Sequence, residues 1–361
     1  MIAILQPHIP HFRKEFFEAL LKNCKVKIYT YNKKDKVIKE GFSNTEIKTT
    51  HVKNFSFGPF LIYNIWPFLN KNYKVLVLMG SIKHLSTWVL LFLNIFLKKD
   101  IILWGHGISI RRYEREQHNQ LWLRKLFYKL AKNAWFYTPK ELEIWKNELP
   151  DLNSISLNNT ISGIDEIIDN SLPSASLKES LKNKYNIDSE INLIICTRFS
   201  KAERKTELLL NLLNRLNTSK YGLIVIGNGP LKPNFSNYRN VYDFGEVYNF
   251  EFKKDLFSIA DLYIQPGWIG LSGVEALAHG IPVCTLKRSK RIHQCVEYNY
   301  LTNNYNSIIA NSINELFFRI NRLSGEEIEQ LKENSKNYAR ENLSMSNMVN
   351  RTLESLDCKN N

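Results

Sequence analysis

The sequence predicts an α/β protein made of two successive Rossmann-like units, and three observations carry that expectation. Strand-like and helix-like runs alternate along most of the chain, the strands are apolar throughout, and Gly-rich loops follow several of them. Strands that are apolar on both sides belong in a parallel sheet covered on both faces. With 361 residues the chain is long enough for two domains, each with its own core.

The elements read in order as follows. "IAILQP" is a buried strand, and "HFRKEFFEALLKN" follows with Phe12, Phe16 and Leu20 at helical spacing. "KVKIYTY" and "KVLVLMG" are the next strands, and "HLSTWVLLFLNIFLKK" is a helix. Its most apolar part, Trp88 to Leu97, contains Asn94 and is too short to span a bilayer, so it reads as a buried or interfacial helix. "DIILWGHG" is a strand running into a Gly-rich loop, "LRKLFYKLAKNA" an amphipathic helix, and "WFYTP" a strand stopped by Pro139. The rhythm then breaks from Asp151 to Asn192 in Asn-, Ser- and Pro-containing text, which places a domain boundary there. Alternation restarts with "INLIICTRF" and runs through "KTELLLNLLNRL", "YGLIVIGNG", "VYDFGEV", "EFKKDLFSIA", "DLYIQPG", "GVEALAHG" and "IPVCTLK". A helix-rich tail spans Gly325 to Leu356. The expected domains are residues 1–165, with about 345–361 packing back on them, and residues 186–344.

Charge divides unevenly between the halves. Residues 1–165 hold 25 Lys and Arg against 13 Asp and Glu, whereas the rest hold 24 against 22. An excess confined to the front half suggests that this half meets an anionic surface. Five cysteines lie at 24, 196, 284, 295 and 358, with no Cys-x-x-Cys. Their scatter predicts a reduced, cytoplasmic protein without structural zinc. The N-terminus lacks the basic and apolar regions of a secretory signal.

In open α/β sheets, ligands bind beyond the carboxyl ends of strands, so the loops after strands carry the functional reading. "VIGNGPL", "FGEV" and "GWIGLSGVEAL" are Gly-rich turns, the last opening a helix. Backbone amides at a helix N-terminus favour phosphate, and Gly270 and Gly273 allow close approach of a pyrophosphate. G-x-G-x-x-G and the P-loop pattern are both absent, which excludes the usual dinucleotide dehydrogenase and P-loop NTPase readings. "TRFSKAERKTELLL" supplies Arg198 and Lys205, with Lys201 and Arg204 between them. Cations at a helix start oppose the helix dipole and point to an anionic ligand. Glu275, read as lying on the first helical turn, is suited either to the helix dipole or to the vicinal hydroxyls of a ribose.

Taken together in order, these segments resemble the retaining glycosyltransferases of family four, which have the GT-B fold. "QPHIPHFRKEFFEALL", "WGHGISIRRY", "SLNNTIS", "TRFSKAERKTELLL", "LIVIGNGPL", "FGEV" and "IADLYIQPGWIGLSGVEALAHGIPVC" are similar to successive family segments over most of the chain. The resemblance implies two Rossmann-like domains facing across a cleft, with the C-terminal domain holding a UDP- or GDP-sugar. It implies that Arg198 and Lys205 contact the diphosphate, that Leu271, Ser272 and Gly273 offer amides to it beside Gly270, and that Glu275 holds the ribose. Gly227 would line the same site, and Gly245 to Val247 would lie near the base. His106 would reach the donor sugar, while His8, His11, Arg111 and Arg112 would serve the loop and acceptor side. A buried, structurally satisfied His106 is the alternative.

One departure stands out: the family's earlier glutamate, eight positions before Glu275, is Gly267 here. That residue grips donor-sugar hydroxyls in the family, so a hexose or deoxyhexose with different hydroxyls is expected. No Asp-x-Asp occurs, so no cofactor or metal is expected.

The implied function is sugar transfer to a glycan or lipid-linked acceptor in bacterial lipopolysaccharide or capsule synthesis, at the inner face of the cytoplasmic membrane. Aromatics among cations in "LIYNIWPFLNKNYK" and "GISIRRYEREQHNQLWLRKLFYKLAK" suit an anionic headgroup surface. The rivals are a nucleotide-sugar 2-epimerase on the same fold and a non-catalytic protein that binds membranes or nucleic acid. No helix-turn-helix or RNA-recognition arrangement supports nucleic acid as a partner.

Overall fold

The computed structural model describes residues 1–32, 46–109 and 122–358. Arg111 and Arg112 therefore lie outside the described residues. The chain divides into two compact units, Met1–Gly163 with Met345–Asn361, and Ile164–Ser344.

Unit 1 contains β1 (Ile2–Gln6), β2 (Val26–Thr30), β3 (Thr50–His51), β4 (Asn54–Phe57), β5 (Phe60–Tyr63), β6 (Val75–Met79), β7 (Asp100–Gly105), β8 (Lys132–Phe136) and β9 (Asn153–Ser156). Its helices are α1 (Lys14–Asn23), α2 (Trp66–Leu69), α3 (Leu85–Leu97), α4 (Trp122–Ala131) and α5 (Pro139–Glu148). The main sheet has the order β3-β2-β1-β6-β7-β8-β9, with parallel pairing throughout. Every residue of β1 is buried, as its unbroken apolar run requires of a central strand. Phe16 and Phe17 of α1 pack on Trp104 of β7, which meets Trp135 of β8 edge-on. β4 and β5 form a separate antiparallel hairpin that the sequence reading did not resolve.

Unit 2 contains β10 (Ile191–Cys196), β11 (Tyr221–Ile226), β12 (Val241–Asp243), β13 (Leu262–Ile264), β14 (Val283–Leu286) and β15 (Ser307–Ala310). They form a parallel sheet of order β12-β11-β10-β13-β14-β15. Its helices are α6 (Ile164–Asp169), α7 (Ala175–Lys184), α8 (Leu208–Leu213), α9 (Phe250–Ile259), α10 (Leu271–Ala278), α11 (Ile313–Arg322) and α12 (Gly325–Asn342). The stretch read as an irregular boundary thus holds β9, α6 and α7. Ser174 starts α7 by accepting from the Leu177 amide, so the Ser-rich text is helix punctuation. A capping box of Ser324 and Glu327 starts α12. Lys336 of α12 donates to the carbonyls of Ala278 (2.8 Å) and Ile167 (2.7 Å), satisfying an acceptor at the end of α10. Burial lowers the pKa of Lys336 to about 8.

The final helix, α13 (Met345–Ser355), belongs to unit 1 and packs on α1. This return brings Cys24 and Cys358 together as a disulfide, with Cα atoms 5.9 Å apart. The sequence reading of all-reduced cysteines is corrected for this pair, because 334 residues separate partners that only the tertiary fold joins. Cys196, Cys284 and Cys295 are free.

Candidate functional site

In unit 2 the chain winds outward from β10 to β12 and then restarts at β13 on the other side of β10. Such a reversal leaves a crevice beyond the carboxyl ends of the two strands. The loops after β10 and β13 meet there, with the Gly267 amide donating to the Arg204 carbonyl (3.0 Å). The loops after β11 and β12 join them. The Phe199 amide donates to Asn228 (3.0 Å), the Leu231 amide to Phe199 (2.7 Å), and the Gly227 amide to Gly245 (2.6 Å). Gly227 has φ 119°, and a Cβ there would collide with the Thr197 carbonyl. Only glycine permits this approach. Four loops are thereby fixed by backbone contacts, and they carry Arg198, Lys205, Gly227, Gly245 and Gly270 to Gly273.

Arg198 is exposed and Lys205 is half-buried in a left-handed turn. The sequence reading missed the role of Arg204. This side chain is turned inward, donating to the Thr197 hydroxyl and the Arg198 carbonyl, and so it shapes the loop that presents its neighbours. Val247 is half-buried two residues beyond Gly245.

Helix α10 begins at Leu271, with Gly270 as an N-cap that supplies no side-chain hydrogen bond. Leu271, Ser272 and Gly273 therefore form its first turn, and no acidic residue lies in that turn. Glu275 sits one turn deeper than the sequence reading put it, because "LSG" is helical rather than loop. The dipole explanation for this carboxylate falls with that correction. Its partner is instead Lys253 of α9, whose Nζ lies 2.7 Å away. The side chain of Glu275 is only 13% exposed. Burial works against the Lys253 charge, yet the Glu275 carboxylate beside it holds its pKa above the ordinary value. Burial pushes the Cys196 thiol up to about 11, which leaves it protonated and inert near neutrality. Nothing local links Lys253 to Glu275, 22 residues apart, so the pair was invisible in the sequence.

A Cβ at Gly267 would run into the Glu203 carbonyl. The absence of a glutamate at this position is therefore built into the backbone path. Trp268, the next residue, adopts a left-handed conformation with φ 53° that bulky residues avoid. It is held there by Gln265, whose Nε2 donates to the carbonyls of Gly267 (3.0 Å) and Trp268 (2.7 Å). Its own amide donates to His293 (2.9 Å), and Lys201 lies 5.6 Å from the indole centroid.

In unit 1, His106 follows β7 and lines a pocket of about 320 Å³ with Gly80, Lys83, Gly105, Arg124 and Tyr137. None of the described lining residues is acidic. Burial, with a smaller contribution from Arg13, lowers the His106 pKa to about 3. The imidazole is neutral near pH 7, and its ring lies 4.3 Å from that of Tyr137 at a tilt of 41°. Arg13 was also missed. Its guanidinium is buried, lies 4.6 Å from the Trp104 ring and 5.0 Å from Tyr137, and donates to Asn159 (2.9 Å). His8 and His11 sit on the loop after β1 and are not among the pocket's lining residues. His8 lies 3.4 Å from the Asn32 amide, and His11 is exposed in a short 3₁₀ turn. Among the described residues no cluster of His, Cys, Asp and Glu could hold a metal ion.

Comparison with solved structures decides the fold. The chain aligns with Anabaena Alr3699/HepE in complex with UDP at TM-score 0.69, covering 99% of both chains at 13% identity. It aligns with the lipopolysaccharide outer core galactosyltransferase WaaB at TM-score 0.66, covering 99% of both chains at 11% identity. A glycosyltransferase from Rickettsia africae aligns at TM-score 0.64 and 13% identity, over 100% of this chain and 99% of its own. The chain has the GT-B fold. No family model matches the sequence, and no curated protein matches it. Within this GT-B chain, the UDP-bearing neighbour shares the two-unit architecture and only about one residue in eight.

Proposed function

We propose that this GT-B chain is a glycosyltransferase, moving a sugar from a nucleoside-diphosphate donor to a glycan or lipid-linked acceptor. The observation that carries the reading is the crevice between β10 and β13, where four interlocked loops converge on the uncapped start of α10. The neighbour solved with UDP and the lipopolysaccharide enzymes WaaB and WaaG support it through the shared fold.

In this reading the amides of Leu271, Ser272 and Gly273 receive the donor diphosphate beside Gly270. Arg198 and Lys205 stabilise the negative charge that grows on the diphosphate as the glycosidic bond breaks. Such cations do the work a divalent ion does elsewhere, so transfer proceeds in EDTA. Glu275 accepts from the ribose hydroxyls, with Lys253 holding its carboxylate in place. Gly227, Gly245 and Val247 border the base, which is uracil or guanine. Neutral His106 donates or accepts one hydrogen bond to the sugar and moves no proton, since its pKa lies far below neutrality. His8 and His11 serve the acceptor side. With Gly267 unable to carry a carboxylate, a hexose or deoxyhexose is recognised by the remaining groups, and retention follows the family resemblance. The setting is surface-polysaccharide assembly at the inner face of the cytoplasmic membrane.

Incubation with UDP- and GDP-hexoses and a bacterial lipid extract in EDTA tests this. Release of nucleoside diphosphate with a glycosylated product of retained anomeric configuration is expected. Isomerised donor without transfer would replace the reading with the epimerase, and no turnover of any donor would overturn it.

A further inference from the structure

Helix α3 contains no charged residue. Leu90 and Leu91 face the core, while Leu85, Val89, Phe92, Ile95 and Phe96 are exposed, Phe96 to 82%. The positions 85, 89, 92 and 96 fall on one helical stripe. A helix bounded by water carries polar residues on that stripe, and one apolar all round is buried. The outer stripe of this helix is apolar and uncovered.

The neighbouring elements extend the same surface. In the β4–β5 hairpin, Phe55 pairs with Ile62 and Phe57 with Phe60, so four exposed apolar residues share one hairpin face. The alternate residues Leu61 and Tyr63 are buried. The hairpin is stitched to α3: the Leu61 amide donates to Lys83 (2.9 Å), and the Tyr63 amide to the Ser86 hydroxyl (2.8 Å). Ser86 returns a bond to the Tyr63 carbonyl (2.7 Å). On the other side Trp88 of α3 packs on Phe127 of α4 (4.7 Å), and α4 exposes Trp122 and Leu126. Trp66, at the start of α2, is 76% exposed.

Charge identifies the occupant. From Ile47 to Lys99 there is no Asp or Glu, whereas seven lysines occur. Lys53, Lys71, Lys83 and Lys98, at the ends of these elements, are exposed. A second copy of the face would bring lysines against lysines. A water-soluble acidic partner would leave the exposed phenylalanines and Ile95 unexplained. An anionic bilayer satisfies both features: apolar side chains enter the headgroup–acyl boundary while lysines meet lipid phosphates.

We infer that the hairpin face and the outer stripe of α3 form a docking surface for an anionic lipid bilayer, with Trp66, Trp122 and Leu126 at its margin. This deepens the peripheral location proposed above and rests on it for the setting, but the contact itself needs no transfer activity.

Co-sedimentation of the full chain with vesicles tests the inference. The vesicles are phosphatidylcholine alone, or phosphatidylcholine with a quarter phosphatidylglycerol. Binding to the anionic vesicles, weakened by 0.5 M salt, is expected (salt screens exposed charges). The triple variant Phe92→Ser/Ile95→Ser/Phe96→Ser is expected to bind at least about tenfold more weakly, given the apolar area withdrawn from the lipid. Phe318→Ser, an exposed phenylalanine of unit 2, is the control and binds as the parent does. Both variants are checked for unchanged thermal unfolding. Parent-like binding by the triple variant, or no binding by the parent, overturns the proposal. So does a dimer, seen by light scattering, that the triple variant dissociates. Nucleotide binding measured alongside separates failure of this surface from failure of the donor site.

Discussion

The two units share a fold plan and differ in what they present. Each is a parallel sheet reversing at its middle, β1 against β6 in one and β10 against β13 in the other. Unit 2 is nearly neutral and interlocks its loops backbone to backbone around the crevice. Its exposed large apolar residues Leu177, Leu231, Tyr305 and Phe318 fall on separate segments of the chain. Unit 1 carries the positive excess and holds most of its exposed apolar residues on the β4–β5 hairpin and α3. The difference teaches that one architecture can be specialised twice. In the proposed reading, loops after the strands serve a small anion, and an outer helix and hairpin serve a surface.

Acid is the largest lever on this comparison. Burial lowers the pKa of His84 to about 4, of His106 to about 3 and of His279 to about 3. Each takes up a proton on unfolding at any pH between its folded value and about 6.5. Stability from these groups is therefore full above about pH 6.5 and falls as pH drops toward 4. At pH 5 the loss is about 2 kcal/mol per histidine, or about 6 kcal/mol in all. Two of the three belong to unit 1, so between pH 7 and pH 5 calorimetry should show the unit 1 transition falling further than that of unit 2. Simultaneous, pH-insensitive melting would break the assignment.

The Glu275–Lys253 pair is the next test. Glu275→Ala strands Lys253 in a half-buried site and should cost unit 2 about 1–3 kcal/mol in urea unfolding. Lys253→Met/Glu275→Gln should recover part of that loss without restoring nucleotide binding. If the single and double variants unfold alike, the pair has no structural weight.

Backbone packing gives a sharper contrast within one loop. Gly267→Ala pushes a Cβ into the Glu203 carbonyl and should destabilise by about 1–3 kcal/mol. A Cβ on Gly270 meets nothing within 4 Å, so Gly270→Ala should stay within about 0.5 kcal/mol. Equal effects would mean the loop path around Gly267 is wrong.

The smallest measurement is a thiol count. A reducing compartment would keep Cys24 and Cys358 as thiols, so the count is made on protein isolated under non-reducing conditions. Denatured, unreduced protein should titrate three thiols of the five cysteines. Five would restore the reading drawn from the sequence.

What the sequence disclosed follows from what is local. The alternation of apolar strands and helices identified both sheets, because a buried parallel strand has no other way to be written. The Gly-rich loops marked the crevice, since close backbone approach demands glycine at Gly227. Long-range pairings left no trace: Lys253 with Glu275, Arg13 with Trp104 and Asn159, and Cys24 with Cys358 are joined only by the fold. Boundaries also slipped. Leu271 and Ser272 read as loop but open α10, which moved Glu275 off the first turn. The hairpin escaped because both apolar residues of each exposed pair look, in one dimension, like core.

The measurement that bears most directly on the central claim is thermal unfolding with UDP, GDP, CMP and ADP in EDTA, on the parent chain and on Glu275→Gln. Selective stabilisation by UDP or GDP is predicted, worth about 2.7 kcal/mol at a hundredfold excess over Kd. It should be lost in Glu275→Gln and unchanged by the triple substitution on α3. No shift with any nucleotide, or an equal shift in Glu275→Gln, would contradict a donor site in unit 2.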